Sequence, residues 1–197
     1  MQVAIVKYNA GNVRSVVNAL QRVGISPCVT DSPEELRAAD RVIFPGQGEA
    51  RSTMEYLKAH GLDNVIKSLR QPVLGICIGQ QLLCRSSEEG GGTACLGIFD
   101  ADVKLFKPER HDDKVPAIGW NAIRDLKSPL FNGIKDADFV YFVHSYYVPV
   151  CGETIATTHH ITTYSAALHK DNFYATQFHP EKSGDIGETI LKNFLSI

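Results

Sequence analysis

The chain has 197 residues, 44% of them hydrophobic, which suits one compact domain with a buried core. Its 20 Lys and Arg residues nearly balance 22 Asp and Glu residues, giving a formal net charge of −2. This balance excludes a strongly basic surface of the kind that binds nucleic acid or anionic membranes. No stretch reaches the ~20 apolar residues that a bilayer-spanning helix needs. We therefore expect no nucleic-acid partner and no membrane association.

The N-terminal residues and the cysteines indicate the compartment. The chain starts without a basic leader or a small-residue cleavage site, so we expect a cytoplasmic protein. Its five cysteines are an odd number and include no C-x-x-C pair, which argues against a disulfide framework and against a zinc site. We expect neither a metal nor a cofactor.

The first half of the chain alternates predicted strands and helices. Apolar runs predict strands at 3–6, 27–30, 41–44 and 72–76. Helical spacing and cap residues predict helices from 13, from 31–35, over 52–69 in two pieces divided at Gly61, and from Gln80. This order predicts a parallel sheet with helices packed against it.

The second half is richer in Val, Ile, Phe, Tyr and Thr, which favour strands. Strands are predicted within 96–106, 117–123, 139–150, 154–158 and 173–178, with an exposed polar loop at 107–114 and a closing helix around 186–194. The fold class predicted for residues 1–197 is a single α/β domain with a central mixed, mostly parallel sheet flanked by helices.

The candidate nucleophile is Cys77, which lies between a predicted strand and a predicted helix in a G-x-C-x-G setting. This is the cysteine counterpart of a nucleophile elbow, where a sharp turn holds the reactive atom over a helix N-terminus. Gly75 and Gly79 would let the strand and helix approach each other, and the N–H of Ile78 could donate to an oxyanion. The alternative is a buried structural cysteine in a glycine-rich turn.

A second candidate group is His179 and Glu181, separated by Pro180. Side chains two residues apart in extended chain point the same way, so Glu181 could orient the imidazole of His179. A solvated turn would look the same in sequence. Both groups are predicted at the ends of strands, where open α/β folds place their sites, and together they indicate acyl transfer through a thioester.

The motifs Gly-Ile-Cys-Ile-Gly-Gln-Gln at 75–81 and Gln-Phe-His-Pro-Glu at 177–181 resemble those of the class I (triad) glutamine amidotransferases. Further segments, including 44–48, 87–90, 118–121 and 141–147, are similar to the glutaminase subunits of imidazole glycerol phosphate synthases. The resemblance implies a flavodoxin-like core and hydrolysis of L-glutamine to glutamate and ammonia. Cys77 would be the nucleophile, His179 the general base and then acid, and Glu181 its orienter. Backbone amides of Gln47 and Ile78 would form the oxyanion hole.

The resemblance also implies where substrate and partner bind. The positions that match glutamine contacts are Gly48, Gln81, Glu89, His144, Ser145 and Tyr146. Asn12, Trp120, Asn121 and Lys182 match positions that face a (β/α)8-barrel cyclase subunit, with which such chains form a heterodimer. Ammonia would pass through a channel to that cyclase, which makes imidazole glycerol phosphate and AICAR in histidine biosynthesis. Two of these residues have simpler interpretations: Glu89 as an exposed acid, and Trp120 as a core side chain.

Three other functions are compatible with parts of the sequence. The chain could be the glutaminase subunit for anthranilate, aminobenzoate or pyridoxal phosphate synthesis, with the same chemistry and a different acceptor. It could be a catalytically idle scaffolding relative, although such relatives usually lose one of the three triad residues. It could also be a stand-alone hydrolase of γ-glutamyl peptides, which would need no partner.

Overall fold

The computed structural model describes residues 1–9 and 13–197. Strands in the described residues are β1 (Val3–Val6), β2 (Cys28–Thr30), β3 (Arg41–Phe44), β4 (Val73–Ile76), β5 (Ser86–Ser87), β6 (Thr93–Ala94), β7 (Asp102–Leu105), β8 (Ala117–Ala122), β9 (Phe139–His144), β10 (Tyr146–Tyr147), β11 (Thr154–His160), β12 (Thr162–Lys170) and β13 (Phe173–Thr176). Helices are α1 (Val13–Arg22), α2 (Pro33–Ala38), α3 (Ala50–Ala59), α4 (Leu62–Ser68), α5 (Ile78–Leu83) and α6 (Gly184–Ser196).

Seven strands form the central sheet, in the order β11-β12-β13-β4-β3-β1-β2. The five strands from β13 to β2 run parallel to one another, whereas at one edge β12 pairs antiparallel with β13 and β11 pairs antiparallel with β12. This confirms the predicted mixed, mostly parallel sheet. Because β3, β4 and β13 are parallel neighbours, their carboxyl ends meet at one edge of the sheet.

Helices cover both faces of this sheet, because alternate residues of a strand point to opposite sides. In β1, Val3 and Ile5 pack into a core with α1 and α6, whereas Ala4 and Val6 pack into a second core with α2, α3, α4 and α5. The strand is buried on both faces, which explains its continuous apolar run.

Two smaller sheets stand beside the central one. Strands β10, β7, β5 and β6 form a four-stranded sheet in that order, and β8 pairs with β9 as an antiparallel ribbon from Ala117 opposite His144 to Ala122 opposite Phe139. The ribbon is joined to β11 by a bridge between Arg124 and Thr157. It therefore lies toward the β11 edge of the central sheet, away from β2.

In the second half, two regions predicted to contain strands differ from the structure in the extent or number of their strands, and one strand was missed. The predicted strand over 96–106 is a strand only at β7, because the amides of Leu96, Ile98 and Phe99 instead donate to the carbonyl oxygens at the end of α5. The predicted strand over 139–150 is divided at Ser145 into β9 and β10, which belong to different sheets. The nine-residue strand β12 was not predicted.

No helix within 1–9 and 13–197 is long and apolar enough to cross a membrane.

Candidate active site

The site begins with two parallel strands that end side by side. In the register of β4 and β13, Ile76 lies opposite Thr176, so Cys77 and Gln177 are the next residues of adjacent strands. The amide of Cys77 donates to the carbonyl oxygen of Thr176 (2.7 Å), so the hydrogen bonding between the two strands continues up to Cys77. His179 follows two residues later, so the topology brings the cysteine and the histidine to one edge of the sheet.

Cys77 has φ 53° and ψ −108°, a conformation that side-chain-bearing residues rarely adopt. It directly precedes α5 as its N-cap residue, and its carbonyl oxygen accepts from the amides of Gln80 (3.0 Å) and Gln81 (3.3 Å). A Cβ atom added to Gly75 would lie 2.7 Å from a side-chain carbon of Leu83 and 2.9 Å from the backbone of Gly79. Strand and helix therefore approach as closely as predicted, and the turn has the geometry of a nucleophile elbow.

The loop after β3 lies directly over this elbow. A Cβ atom added to Gly46 would lie 1.8 Å from the carbonyl oxygen of Ile76 and 2.8 Å from the nitrogen of Ile78. Tyr8 anchors the start of the loop, because its hydroxyl donates to the carbonyl oxygen of Pro45 (2.6 Å). The loop that carries Gln47 thus sits against the amide of Ile78.

His179 and Glu181 form a buried pair, with Nδ1 of the histidine 2.7 Å from Oε1 of the glutamate and exposed fractions of 2% and 5%. The solvated turn considered from sequence is therefore wrong. Burial disfavours the charged ring, but an ionised Cys77 and the hydrogen bond that the ring donates to Glu181 outweigh burial and raise the pKa of His179 to about 10. Because Nδ1–H donates to Glu181, the atom left for proton transfer is Nε2, which is buried and has no hydrogen-bond partner among residues 1–9 and 13–197.

These groups open onto a cavity of about 430 Å³. Its lining includes most residues predicted for catalysis and substrate binding: Gln47, Gly48, Cys77, Ile78, Gln81, Glu89, His144, Ser145, Tyr146 and His179. Glu181 lies behind His179. The lining also includes Gly46, Pro116 and Val143.

Glu89 is half-buried and lines the cavity, so its interpretation as an exposed acid is wrong. One carboxylate oxygen, Oε2, accepts from the amide of Ala50 at the start of α3 (2.7 Å). Burial raises the pKa of Glu89 above its ordinary value, partly offset by that amide. A cationic group in the cavity would therefore gain a buried counter-charge.

His144 is buried and holds a structural position. Its Nδ1 lies 2.7 Å from the carbonyl oxygen of Tyr146, which can only accept, so Nδ1 carries the proton. Nε2 then accepts from the hydroxyl of Tyr164 (2.9 Å). Burial lowers the pKa of His144 to about 4, against the opposing effect of the Tyr146 carbonyl, so the ring is neutral. Tyr164 belongs to β12, the strand missed from sequence.

The residues predicted to face a partner lie outside the cavity. Trp120 is 55% exposed on β8, so its interpretation as a core side chain is wrong, and Ile118 on the same strand is 65% exposed. The Trp120 ring packs edge-on to Tyr141 of β9, and Nζ of Lys182 lies 5.9 Å from the centre of the Tyr141 ring. Asn121 donates to the carbonyl oxygen of His159. Asn12, also predicted at this surface, lies outside the described residues.

Comparison with known proteins agrees with this geometry. The chain belongs to the glutamine amidotransferase class-I family, whose model matches residues 4–197. Among solved structures of the same fold, one titled glutamine amidotransferase has a TM-score of 0.76 at 19% identity, covering 100% of this chain and 98% of that chain. PurLQS from Thermotoga maritima has a TM-score of 0.73 at 15% identity, covering 99% and 97%.

Curated relatives define the branch of this family. The protein named imidazole glycerol phosphate synthase subunit HisH of Bacteroides fragilis is 64% identical over 197 residues, covering 100% of both chains. The protein of the same name from Yersinia pseudotuberculosis is 44% identical over 198 residues, again covering 100% of both. Within the class-I amidotransferases, the chain is thus a member of the HisH family.

Proposed function

We propose that this chain hydrolyses L-glutamine to glutamate and ammonia, and supplies the ammonia as the glutaminase subunit of an imidazole glycerol phosphate synthase. The observation that carries the proposal is the convergence of a strained Cys77 with the buried His179–Glu181 pair on one cavity. Residues 1–197 would act as one amidotransferase domain in the cytoplasm. No other candidate function is favoured by a separate observation.

The first half of the reaction forms a thioester. The proton of the Cys77 thiol passes to Nε2 of His179, and the charged ring is stabilised by Glu181. Sγ attacks the carboxamide carbon of glutamine, and the developing oxyanion accepts from the N–H of Ile78. The N–H of Gln47 would be the second donor after the loop turns it away from the Tyr8 hydroxyl, to which it donates in this structure. The C–N bond then breaks, His179 returns its proton to the nitrogen, and ammonia leaves.

The second half releases glutamate. Neutral His179 takes a proton from a water molecule, whose oxygen attacks the thioester carbon and forms a second tetrahedral intermediate. The C–S bond breaks with the thiolate of Cys77 as leaving group, and the proton that His179 took from water returns to the sulfur, which restores the thiol and the neutral ring. The same ring therefore serves as base and acid in both halves.

The cavity offers complementary groups for the amino-acid end of glutamine. The carboxylate of Glu89 would pair with the substrate ammonium. Gln81 uses Nε2 on protein acceptors, which leaves its Oε1 to accept from substrate. Backbone groups of Gly48, Ser145 and Tyr146 supply further hydrogen bonds, with His144 holding the Tyr146 carbonyl in place.

The partner proposed for this chain is a (β/α)8-barrel cyclase that forms a heterodimer and receives the ammonia. The proposed docking surface is the exposed apolar side of β8, Ile118 and Trp120, together with Asn121 and Lys182. Asn12, assigned to this partner from the sequence, lies outside the described residues. This surface connects directly to the site, because the Tyr141 carbonyl of the paired strand β9 accepts from the amide of His179 (2.9 Å). Docking on the ribbon can therefore reposition the base.

The test of the activity is glutamate release from L-glutamine by the purified chain, with and without a barrel cyclase and its nucleotide substrate. We expect release to rise in the complex and to vanish in Cys77→Ala. The matched control is Cys84→Ala, which removes a buried thiol that does not line the cavity. An idle scaffolding relative would release no glutamate under any condition, and a γ-glutamyl hydrolase would act on longer peptides without the cyclase.

The docking surface has its own test. Trp120→Ala should weaken cyclase binding by about 2 kcal/mol, roughly 30-fold, as expected for a central aromatic anchor, and leave the folding of the isolated chain unchanged. Val29→Ala, an exposed apolar change on the opposite edge strand β2, is the control and should not affect binding. Equal affinities for all three proteins would place the interface elsewhere.

A further inference from the structure

A chain of three groups runs from a backbone carbonyl to the nucleophile. It starts at the carbonyl oxygen of Tyr146, which accepts from Nε2 of Gln81 (3.0 Å). A carbonyl oxygen cannot donate, so this contact fixes which end of the Gln81 amide faces it. The same Nε2 also donates to Oε1 of Gln177 (3.0 Å), so both hydrogens of the Gln81 amide are used.

The orientation of Gln177 follows from this contact. With Oε1 turned toward Gln81, its Nε2 faces Cys77 and donates to Sγ at 3.7 Å. The side chain of Gln177 is completely buried, and its backbone amide is tied to the carbonyl oxygen of Ala166 (2.8 Å). The amide of Gln177 is therefore held with a donor, and not an acceptor, against the sulfur.

A second contact of the sulfur has the opposite preference. The Cys77 thiol lies 3.8 Å from the carbonyl oxygen of Val143, a contact that only the protonated sulfur can make as donor. An N–H donor stabilises the ionised sulfur, because hydrogen bonds to charged groups are stronger than those to neutral groups. The Val143 contact therefore favours the thiol form of Cys77, and the Gln177 contact favours the thiolate.

We propose that Gln177 is a catalytic residue whose side-chain N–H stabilises the thiolate of Cys77, both when it attacks and when it leaves the second tetrahedral intermediate. This inference rests on the proposed function only in assigning Cys77 as nucleophile. The proton released by the sulfur still passes to Nε2 of His179, and Gln177 exchanges no proton. Gln81 would be a positioning residue for Gln177 in addition to its role in the substrate cavity.

The effect of Gln177 on the ionisation of Cys77 can be separated from the titratable groups near the sulfur. His179 responds to the charge of Cys77, as do Tyr8 and Tyr164. Burial raises the pKa of both tyrosines well above the ordinary value, so neither changes charge near neutral pH. A change in Cys77 ionisation between the parent protein and a Gln177 variant can thus be compared at constant tyrosine charge.

The experiment measures the rate at which iodoacetamide alkylates Cys77 as a function of pH, read from the mass of the Cys77 peptide. Gln177→Met keeps the length of the side chain and removes the donor. We expect the midpoint of the pH profile to rise by about one unit, and alkylation below the midpoint to slow about tenfold. Gln80→Met is the matched control. Gln80 lies one helical turn after Cys77 and is as buried as Gln177, but its Nε2 donates to the carbonyl oxygen of Ser165 and not to the sulfur.

An unchanged midpoint in Gln177→Met would overturn the proposal. If that variant does not fold, Gln177→Asn gives the same test, since it keeps an amide but is one methylene too short to reach Sγ. Alkylation needs no glutamine turnover, so its result is separate from the glutaminase assay. A raised midpoint with no glutamate release from the parent protein would support the contact and refute the activity.

Discussion

Replacing Glu181 with glutamine isolates the charge that the carboxylate supplies to His179. The bond between Nδ1 and Oε1 is 2.7 Å long and both side chains are almost completely buried, so solvent screens it little. A hydrogen bond to a charged group contributes ~1.5–3 kcal/mol. Glu181→Gln keeps an acceptor in place but loses the charge, so kcat/KM for glutamine should fall about 10- to 150-fold.

The structure offers a control with the same distance and different burial. Arg22 and Glu188 also lie 2.7 Å apart, but this pair is exposed to solvent. Glu188→Gln should leave kcat/KM unchanged and cost less than ~1 kcal/mol in unfolding free energy. The assay is steady-state glutamate release in the cyclase complex. Equal activities of Glu181→Gln and the parent protein would refute the assignment of Glu181 as the orienting group.

The same substitution has a pH signature. Because the pKa of His179 is raised from 6.5 to about 10, the charged ring stabilises the folded state below pH 6.5, and this stabilisation is lost as pH rises toward 10. In Glu181→Gln the raised pKa falls, so the loss of unfolding free energy over this range should be smaller. Denaturant titrations at several pH values measure this loss, and identical slopes in the two proteins would contradict the stabilisation of the charged His179 ring by Glu181.

Three further outcomes follow from single contacts. Gly46→Ala should abolish glutaminase activity, since its methyl would lie 1.8 Å from the Ile76 carbonyl oxygen, whereas Gly152→Ala, in open space, should change neither activity nor stability; equal activities would contradict this packing. Tyr164→Phe leaves Nε2 of His144 buried and unpaired and should lower the unfolding free energy by ~1–3 kcal/mol in denaturant titrations, a loss that an unchanged midpoint would exclude. Because the neutral form of His144 is the buried one, the unfolding free energy should decrease as pH falls from 6.5 to about 4, and His144→Gln should flatten this pH dependence in denaturant titrations.

The first half of the fold could be predicted because local and tertiary signals agree there. The apolar run of β1 is buried on both faces, and Ser32 accepts from the amide of Glu35 as the N-cap of α2. Gly61 has φ 66° and separates α3 from α4, as the sequence indicated. In each case the residue type is itself the cause of the local structure.

Strand β12 could not be predicted for a physical reason. Its centre contains Ser165, Ala166 and Ala167, small residues that have no strand periodicity and are buried by neighbours remote in sequence. The turn that leads into it has Ile161 at φ 60°, where a β-branched residue gives no turn signal. Tyr164 and its contact with His144 were missed for the same reason.

The site shows the same division. Cys77, His179 and Glu181 belong to local motifs, so the sequence alone was enough to propose them as a triad. The role proposed for Gln177 could not, although the residue stands in the same motif as His179, because it depends on the register between β4 and β13. Contacts between residues a hundred positions apart are set by the sheet, not by spacing in the sequence.

The most direct test of the account is to identify the residue that carries the glutamyl group. The cyclase complex would be quenched with acid during turnover of L-glutamine, digested and analysed by mass spectrometry. The account predicts one glutamyl group on the Cys77 peptide as a thioester that hydroxylamine removes, and none in Cys77→Ala. Turnover with a glutamyl group on a different residue, or glutamate release that persists in Cys77→Ala, would contradict it.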